Sequence, residues 1–207
     1  VGTVVSLLLH RQPQPLIAPM TENDHLAKII AVSNTGPMVS AFQCGRTDLL
    51  KRYFSLIYIT ASELDELHAH GWLDEVDQLV TEGFVAVEEL TDSEKKQAEV
   101  LAKRIAQYQK SANSDWHNDL AEAEAMVLMQ NRIHLDIAII LLDEKAARQV
   151  ANQLGLNLTG FPGILGRAGL DGILTKGEMR QLLKTCQQQG TYYGDKLIET
   201  LAENYGR

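Results

Sequence analysis

The stretch from Ile137 to Val150 constrains the fold more than any other. Six apolar residues, Ile137-Ala138-Ile139-Ile140-Leu141-Leu142, run without a polar break, stop at Asp143-Glu144 and give way to strong helix formers. Such a run, with no alternation, is the pattern of a strand covered on both faces, and strands of that kind belong to parallel sheets flanked by helices. In open sheets of this class, ligands bind in the crevice at the carboxyl ends of the strands. Asp143 stands at the lip of that crevice.

The rest of the chain alternates in the same way. Lys28-Ile29-Ile30-Ala31-Val32-Ser33 reads as a buried strand, and Asn34-Thr35-Gly36-Pro37 as a turn with Pro at a helix start. Helices are expected to Cys44, over Thr47 to Tyr53, over Ala61 to His70 and over Trp72 to Val80, with Leu56 to Thr60 and Phe84 to Val87 as strands. Thr91-Asp92-Ser93-Glu94 fits a capping box that opens a long helix toward Lys110. Asp119 to Gln130 and Glu144 to Leu154 read as helix, Leu156 to Thr159 as a last strand, and residues after Gly160 as helical, with a second capping box at Thr175-Lys176-Gly177-Glu178. The expected fold class is α/β, a three-layer α/β/α sandwich with a central parallel sheet and a helical C-terminal tail. The domain plan is an N-terminal extension over residues 1–28, with Met20 as a candidate natural start, a sheet domain over 29–160, and a helical tail over 161–207 packed on the same domain.

Composition excludes several classes. At 207 residues and 45% hydrophobic, the chain suffices for one well-filled core, and five prolines with 22% charged residues do not suit a disordered body. No apolar run approaches the ~18 residues that a membrane-spanning helix needs. Val4 to Leu9 is short and lacks the flanks of a signal peptide, so a soluble cytoplasmic protein is expected. Cys44 and Cys186 have no metal-ligand spacing and read as ordinary buried or semi-buried thiols of a reducing compartment. A net charge of -8 argues against gripping nucleic acid through overall charge, but leaves room for a local basic rim around an acidic site.

The topology sends a defined set of polar residues to the carboxyl edge. The first strand delivers Ser33, Asn34 and Thr35, and the helix after the second strand carries Glu63, Asp65 and Glu66. Glu122 and Glu124 lie in an otherwise apolar helix, and the fourth strand delivers Asp143 and Glu144. Acids that converge in a crevice repel one another unless a cation neutralises them, and all-oxygen clusters suit Mg²⁺ or Mn²⁺. Two such ions can activate water and stabilise both oxygens of an in-line displacement at phosphorus.

With these residues the chain resembles the PIN-domain family, in its prokaryotic branch of uncharacterised proteins. The motifs that carry the likeness are Ser33-Asn34-Thr35-Gly36-Pro37, Asp48-Leu49-Leu50, Glu66-Leu67, Ala121-Glu122-Ala123-Glu124-Ala125 and Leu142-Asp143-Glu144. Ala147-Arg148, Gly155-Leu156 and Thr159-Gly160-Phe161-Pro162-Gly163 complete the series, in order, from about Ile29 to Asn204. The resemblance implies a Mg²⁺- or Mn²⁺-dependent ribonuclease, often the toxin of a toxin–antitoxin pair and commonly a homodimer. It places Asn34, Glu66, Glu122 and Asp143 as metal-binding and catalytic positions, with Thr35, Glu124 and Glu144 in support. Lys145, Arg148 and Arg46 are the candidates for substrate phosphates. Three positions depart from the family pattern: Asn34 stands where Asp is commonest, Ala121 where Gly is usual, and Thr60 where Pro is usual. The first removes a negative charge and is expected to weaken metal affinity.

Several residues carry two readings. Asp143-Glu144 taken alone reads as a helix cap, where acids favour the N-terminal dipole; the family order makes it part of a site. Glu122 and Glu124 are two apart and cannot share a helical face, so one is expected in solvent and Glu122 in the site. Arg148 either meets phosphate or braces an acid. Glu66 and His70 form either a surface pair or two ligands, and Trp72 and Trp116 read as packing residues. The leading functional expectation is a metal-dependent endoribonuclease acting on single-stranded or structured RNA; the alternative is a non-catalytic PIN-fold module that binds RNA or protein. A nucleotide-binding α/β protein is disfavoured, since no glycine-rich phosphate loop follows a strand. A homodimer would use apolar positions between Leu64 and Leu79.

Overall fold

A computed structural model describes residues 28–109 and 115–207. The expected N-terminal extension, apart from Lys28, and the expected helix end at Lys110 lie outside the described residues. Chain order is β1 (Ile29–Ser33), α1 (Thr35–Gln43), α2 (Thr47–Tyr53), β2 (Phe54–Thr60), α3 (Ala61–Ala69), α4 (Leu73–Thr81), β3 (Val85–Glu88) and α5 (Asp92–Ala106). A 3-10 turn over Trp116–Asp119 leads into α6 (Leu120–Asn131), followed by β4 (Ile137–Leu141), α7 (Lys145–Gln153), β5 (Leu158–Thr159), α8 (Phe161–Leu170), α9 (Lys176–Gln188) and α10 (Asp195–Tyr205).

The five strands form one sheet in the order β3-β2-β1-β4-β5, and every neighbouring pair is parallel. The α/β/α sandwich expected from the uninterrupted apolar strands is therefore present. Adjacent residues of one strand serve opposite layers. On one face Val32, Ile140 and Leu142 pack with α5, α6 and α7; on the other Ala31, Ile57, Ile59 and Leu141 pack with α1 to α4 and α8 to α10. Ile140, Leu141 and Leu142 are all fully buried, and each such side chain contributes about 1.5–3 kcal/mol. A strand serving two cores cannot alternate, which is why the β4 run has no polar break.

This order also fixes where a site can form. From β1 the chain builds outward through β2 and β3, then crosses back to place β4 on the other side of β1. The β1/β4 boundary is the switch point of the sheet, where the connections diverge and leave a crevice at the carboxyl edge. The register shifts once, between Ile30 and Ala31, and then holds to the strand ends: Ser33 pairs with Leu141, and the Asn34 N–H donates to the Leu141 carbonyl at 3.1 Å. Asn34 and Asp143 thus follow the ends of adjacent strands, one residue out of level. No helix of the described residues is long and apolar enough to cross a membrane.

Candidate active site

Asn34 occupies the N-cap position of α1, where an Asn side chain ordinarily accepts a backbone N–H and stabilises the helix by ~1 kcal/mol. It makes no such bond. Its amide instead donates from Nδ2 to Glu122 Oε1 at 2.9 Å, across from the first turn of α6. Asn34 Oδ1 and Glu122 Oε2 are both buried and without a hydrogen-bond partner. Two unpartnered buried acceptors are costly, at ~1–3 kcal/mol each.

Asp143 faces the same crevice from β4. Its Oδ1 accepts the Phe161 N–H at 3.0 Å and its Oδ2 accepts the Tyr193 hydroxyl at 2.7 Å. Tyr193 is itself held at 2.7 Å by the hydroxyl of Ser40 on α1. Gly160 makes room for this carboxylate, since a Cβ there would overlap Asp143 Oδ1 and come within 2.8 Å of the Leu142 carbonyl. A Cβ built on Gly36 would stand 3.7 Å from both Asn34 Oδ1 and Asp143 Cβ, so these two residues border the same small space. Burial pushes the Asp143 carboxyl above its usual range, against the Tyr193 hydroxyl, the Phe161 N–H and the charge of Arg148.

The acids around Glu122 form a repelling group. Burial, then the charges of Glu66 and Asp119, push Glu122 up to about 7, while the Asn34 amide and its own backbone N–H act in the opposite sense. Asp119 is 2% exposed and is pushed up to about 6 by burial and by Glu144. Its Oδ1 accepts the Gln109 amide at 2.6 Å, and its Oδ2 is buried without a partner. Glu63 is fully buried and stands well above the carboxylate range, first from burial and then from Glu122, Glu124 and Glu66. One of its oxygens closes the capping box of α3 by accepting the Thr60 N–H at 2.7 Å; the other has no partner. Thr35 donates its hydroxyl to Glu66 Oε2 at 2.7 Å, tying α1 to α3.

The remaining candidates divide between this place and others. Glu144 is exposed and accepts the Ala147 N–H at 2.7 Å, so it caps α7 while Asp143 turns inward; the pair splits its two readings. Glu124 departs from the expected solvated position, being 7% exposed. The reason is that α6 is buried from Ala123 through Leu128, so the helix has no solvent face there to receive the second glutamate. Arg148 donates to the Leu142 carbonyl at 2.6 Å and carries a charge interaction with Asp143, the bracing role of its two readings. Lys145 is exposed and lines a groove of about 600 Å³ with Asp143, Arg148, Gln149, Asn152 and Gln153. Arg46 is engaged elsewhere, forked onto Asp48 at 2.8 and 3.0 Å. Glu66 and His70 stand 3.6 Å apart as a surface pair.

Sequence reasoning did not single out Asp119 or Tyr193, and gave no site role to Glu63, which it sent to the carboxyl edge, or to Gly160, which it quoted only as part of a motif. Asp119 was expected as the first residue of a helix, but ends the preceding 3-10 turn, at the N-cap position of α6 with no capping bond from its side chain. Glu63 had a signal in Thr60-Ala61-Ser62-Glu63, the same capping-box pattern that marks Thr91 and Thr175. Tyr193 had none.

As a ligand set for a metal these residues are open. Among the described residues no group of three or more His, Cys, Asp or Glu could hold an ion. The unpartnered Asn34 Oδ1 and Glu122 Oε2 nonetheless fit a hard cation, because Mg²⁺ keeps several waters and needs only one or two protein carboxylates. A cation there would also relieve the repulsion that raises Glu122 and Asp119.

A family model described as a PIN domain matches residues 30–207, from within β1 to the last residue. No curated protein and no solved structure matches the chain. The matched span takes in the switch-point crevice, the helix that begins at Phe161 and the α9–α10 loop that carries Tyr193, and on that basis the chain belongs to the PIN-domain family.

Proposed function

We propose that the protein is a divalent-metal-dependent endoribonuclease that cleaves RNA by hydrolysis at phosphorus, leaving a phosphate on one product. The observation that carries this reading is the pair of buried, unpartnered oxygens, Asn34 Oδ1 and Glu122 Oε2, at the β1/β4 switch point beside Asp143. Asn34 and Glu122 would hold Mg²⁺ or Mn²⁺ with Asp143 at the same crevice and Glu66 as a further, partly exposed carboxylate. The ion, when bound, supplies a water of lowered pKa and a positive contact for the phosphate oxygens.

The chain's own groups have separate tasks. The Phe161 N–H and the Tyr193 hydroxyl fix both Asp143 oxygens, so this carboxylate enters the reaction already oriented. Arg148 holds the strand end behind it. Lys145, in the groove wall and free of ion pairs among the described residues, meets the negative backbone of an RNA strand lying along α7. Thr35 and the Asn34 amide keep Glu66 and Glu122 apart as separate carboxylates. The experiment compares cleavage of single-stranded RNA by wild type and Asp143→Asn with Mn²⁺ and with chelator. Loss in the variant and in chelator supports the reading, and equal activity in all four reactions overturns it.

A second reading, a PIN fold that binds RNA or protein without cleaving, draws on one observation. Asn34 removes a charge and spends its amide on Glu122. It predicts no carboxylate-dependent Mg²⁺ or Mn²⁺ isotherm by calorimetry. A toxin role with an antitoxin partner would show as growth arrest on expression that Asp143→Asn relieves. Pairing of two copies would rest on Leu73 and Val80, because Leu67, Val76 and Leu79 are spent in the protein's own core.

A further inference from the structure

Cys44 and Cys186 are 142 positions apart in sequence (186 − 44) and nothing in their spacing relates them. The fold brings them to one atom. Cys44, at the end of α1, donates its thiol to the Ser40 carbonyl at 3.1 Å, and Cys186, within α9, donates to the same carbonyl at 3.4 Å. Cys186 is fully buried, whereas Cys44 is half-buried.

The backbones on either side are already tied. Gln43 donates to the Gln189 carbonyl at 3.1 Å, Gln189 donates to the Gln43 carbonyl at 2.8 Å, and the Thr191 hydroxyl donates to Gln43 Oε1 at 2.7 Å. Closing a bond between the sulfurs therefore needs no new docking of α1 and α9. The asymmetry of the two thiols assigns their order of reaction. Cys44 is the more accessible thiol, and its neighbour Cys186 and the positive charge of Arg46 lower its pKa against burial; Cys186 is enclosed, and its neighbour Cys44 and then burial hold it as the thiol.

We propose that Cys44 and Cys186 are a thiol–disulfide modification site, at which a low-molecular-weight disulfide such as oxidised glutathione converts the pair into an intramolecular disulfide that pins α9 to α1. The Cys44 thiolate attacks one sulfur of the glutathione disulfide, forming a Cys44–glutathione mixed disulfide and releasing one glutathione thiol. Cys186 then gives up its proton and attacks the Cys44 sulfur, forming the Cys44–Cys186 bond and releasing the second glutathione thiol. Two protein thiols are oxidised and one glutathione disulfide is reduced to two thiols. Both thiol donors to the Ser40 carbonyl are consumed, on the residue whose hydroxyl holds Tyr193 against Asp143.

The test treats the purified full chain, native and without denaturant, with oxidised glutathione, alongside Cys44→Ser and Cys186→Ser. Wild type should lose the mass of two hydrogen atoms and yield a protease fragment joining Cys44 to Cys186. Its unfolding midpoint should rise by several degrees and fall back with dithiothreitol. Cys186→Ser should stop with glutathione on Cys44, and Cys44→Ser should react about tenfold more slowly or less, because only the buried thiol is left. A wild-type protein that keeps glutathione on Cys44 without cross-linking overturns the proposal, as does a cross-link that forms only in denaturant. No readout here uses RNA cleavage, so this proposal and the catalytic reading fail separately.

Discussion

The amide of Asn34 donates to Glu122 Oε1 at 2.9 Å while its own carbonyl oxygen, Oδ1, lies buried without a donor. One side chain thus satisfies a neighbouring carboxylate and at the same time presents an empty acceptor to the crevice. Asn34→Asp tests both halves. The new carboxylate loses the hydrogen bond and faces Glu122 with like charge, so the metal-free protein should lose ~1–3 kcal/mol of stability. Metal affinity should move the other way, by about tenfold or more, because the added charge has a cation to meet. Chemical denaturation in chelator and Mn²⁺ calorimetry measure the two effects. A variant that is less stable and no better at binding would remove Asn34 from the metal site.

Gly160 is where Asp143 is given its direction. A methyl group there would overlap Asp143 Oδ1 and crowd the Leu142 carbonyl, and the Phe161 N–H next along the chain would lose its acceptor. Gly160→Ala should therefore cost ~1–3 kcal/mol as an overpacked contact. Cleavage should fall further than stability explains, since the carboxylate rotates away from the crevice. Melting temperature and turnover measured on the same preparation separate the two. Turnover that follows the folded fraction alone would show that Asp143 keeps its orientation.

Tyr193 donates to Asp143 and in turn is held by Ser40, so a single hydroxyl connects the α9–α10 segment to the crevice. Its donation works against the burial that raises the Asp143 pKa. Tyr193→Phe removes this support and raises that pKa further. A reaction that needs the Asp143 carboxylate ionised gains rate as pH rises, so its acid limb should move to higher pH in the variant, with ~1 kcal/mol of stability lost. The pH profile of cleavage checks this. An unmoved acid limb would assign the limb to another group.

The sheet was legible because its strands serve two cores. Ile140, Leu141 and Leu142 alternate between opposite layers, and that demand writes an unbroken apolar run into the sequence. Element ends were less so, for local reasons. Leu156 was expected in β5, but its N–H closes back on the Ala151 carbonyl while Gly155 turns with a φ of 73°, so both residues terminate α7. At the site, Asn34 and Asp143 could be placed together because register at the end of two parallel strands is a local property. Tyr193 and the Cys44–Cys186 pair could not, because only the packing of α8 to α10 on α1 brings them near anything. The burial of Glu124 was hidden in plain composition: Ala123 and Ala125 to Leu128 leave α6 with no polar face, a pattern that outranks the two-residue spacing of the glutamates.

The raised carboxyls of the crevice make the metal-free protein sensitive to pH in a defined direction. Glu122 ordinarily titrates at 4.5 and does so at about 7 in the fold; for Asp119 the two values are 3.8 and about 6. Between each pair of values the native protein keeps a proton that the unfolded chain has released, so stability falls as pH rises through the window. Below it both states are protonated and the slope vanishes. For Glu122 the full effect is about 3 kcal/mol, and Glu66, Asp119, Glu63 and the Asn34 amide are the groups that face it. A divalent cation bound at Glu122 needs the ionised form, so its stabilisation should grow over the same window in which the metal-free protein weakens. Unfolding midpoints taken across that range with Mg²⁺ and with chelator should diverge as pH rises, and Glu122→Gln should close the gap and flatten the chelator curve above about 6, leaving the Asp119 contribution below it. A Mg²⁺ effect of constant size from one end of the window to the other would separate the ion from Glu122.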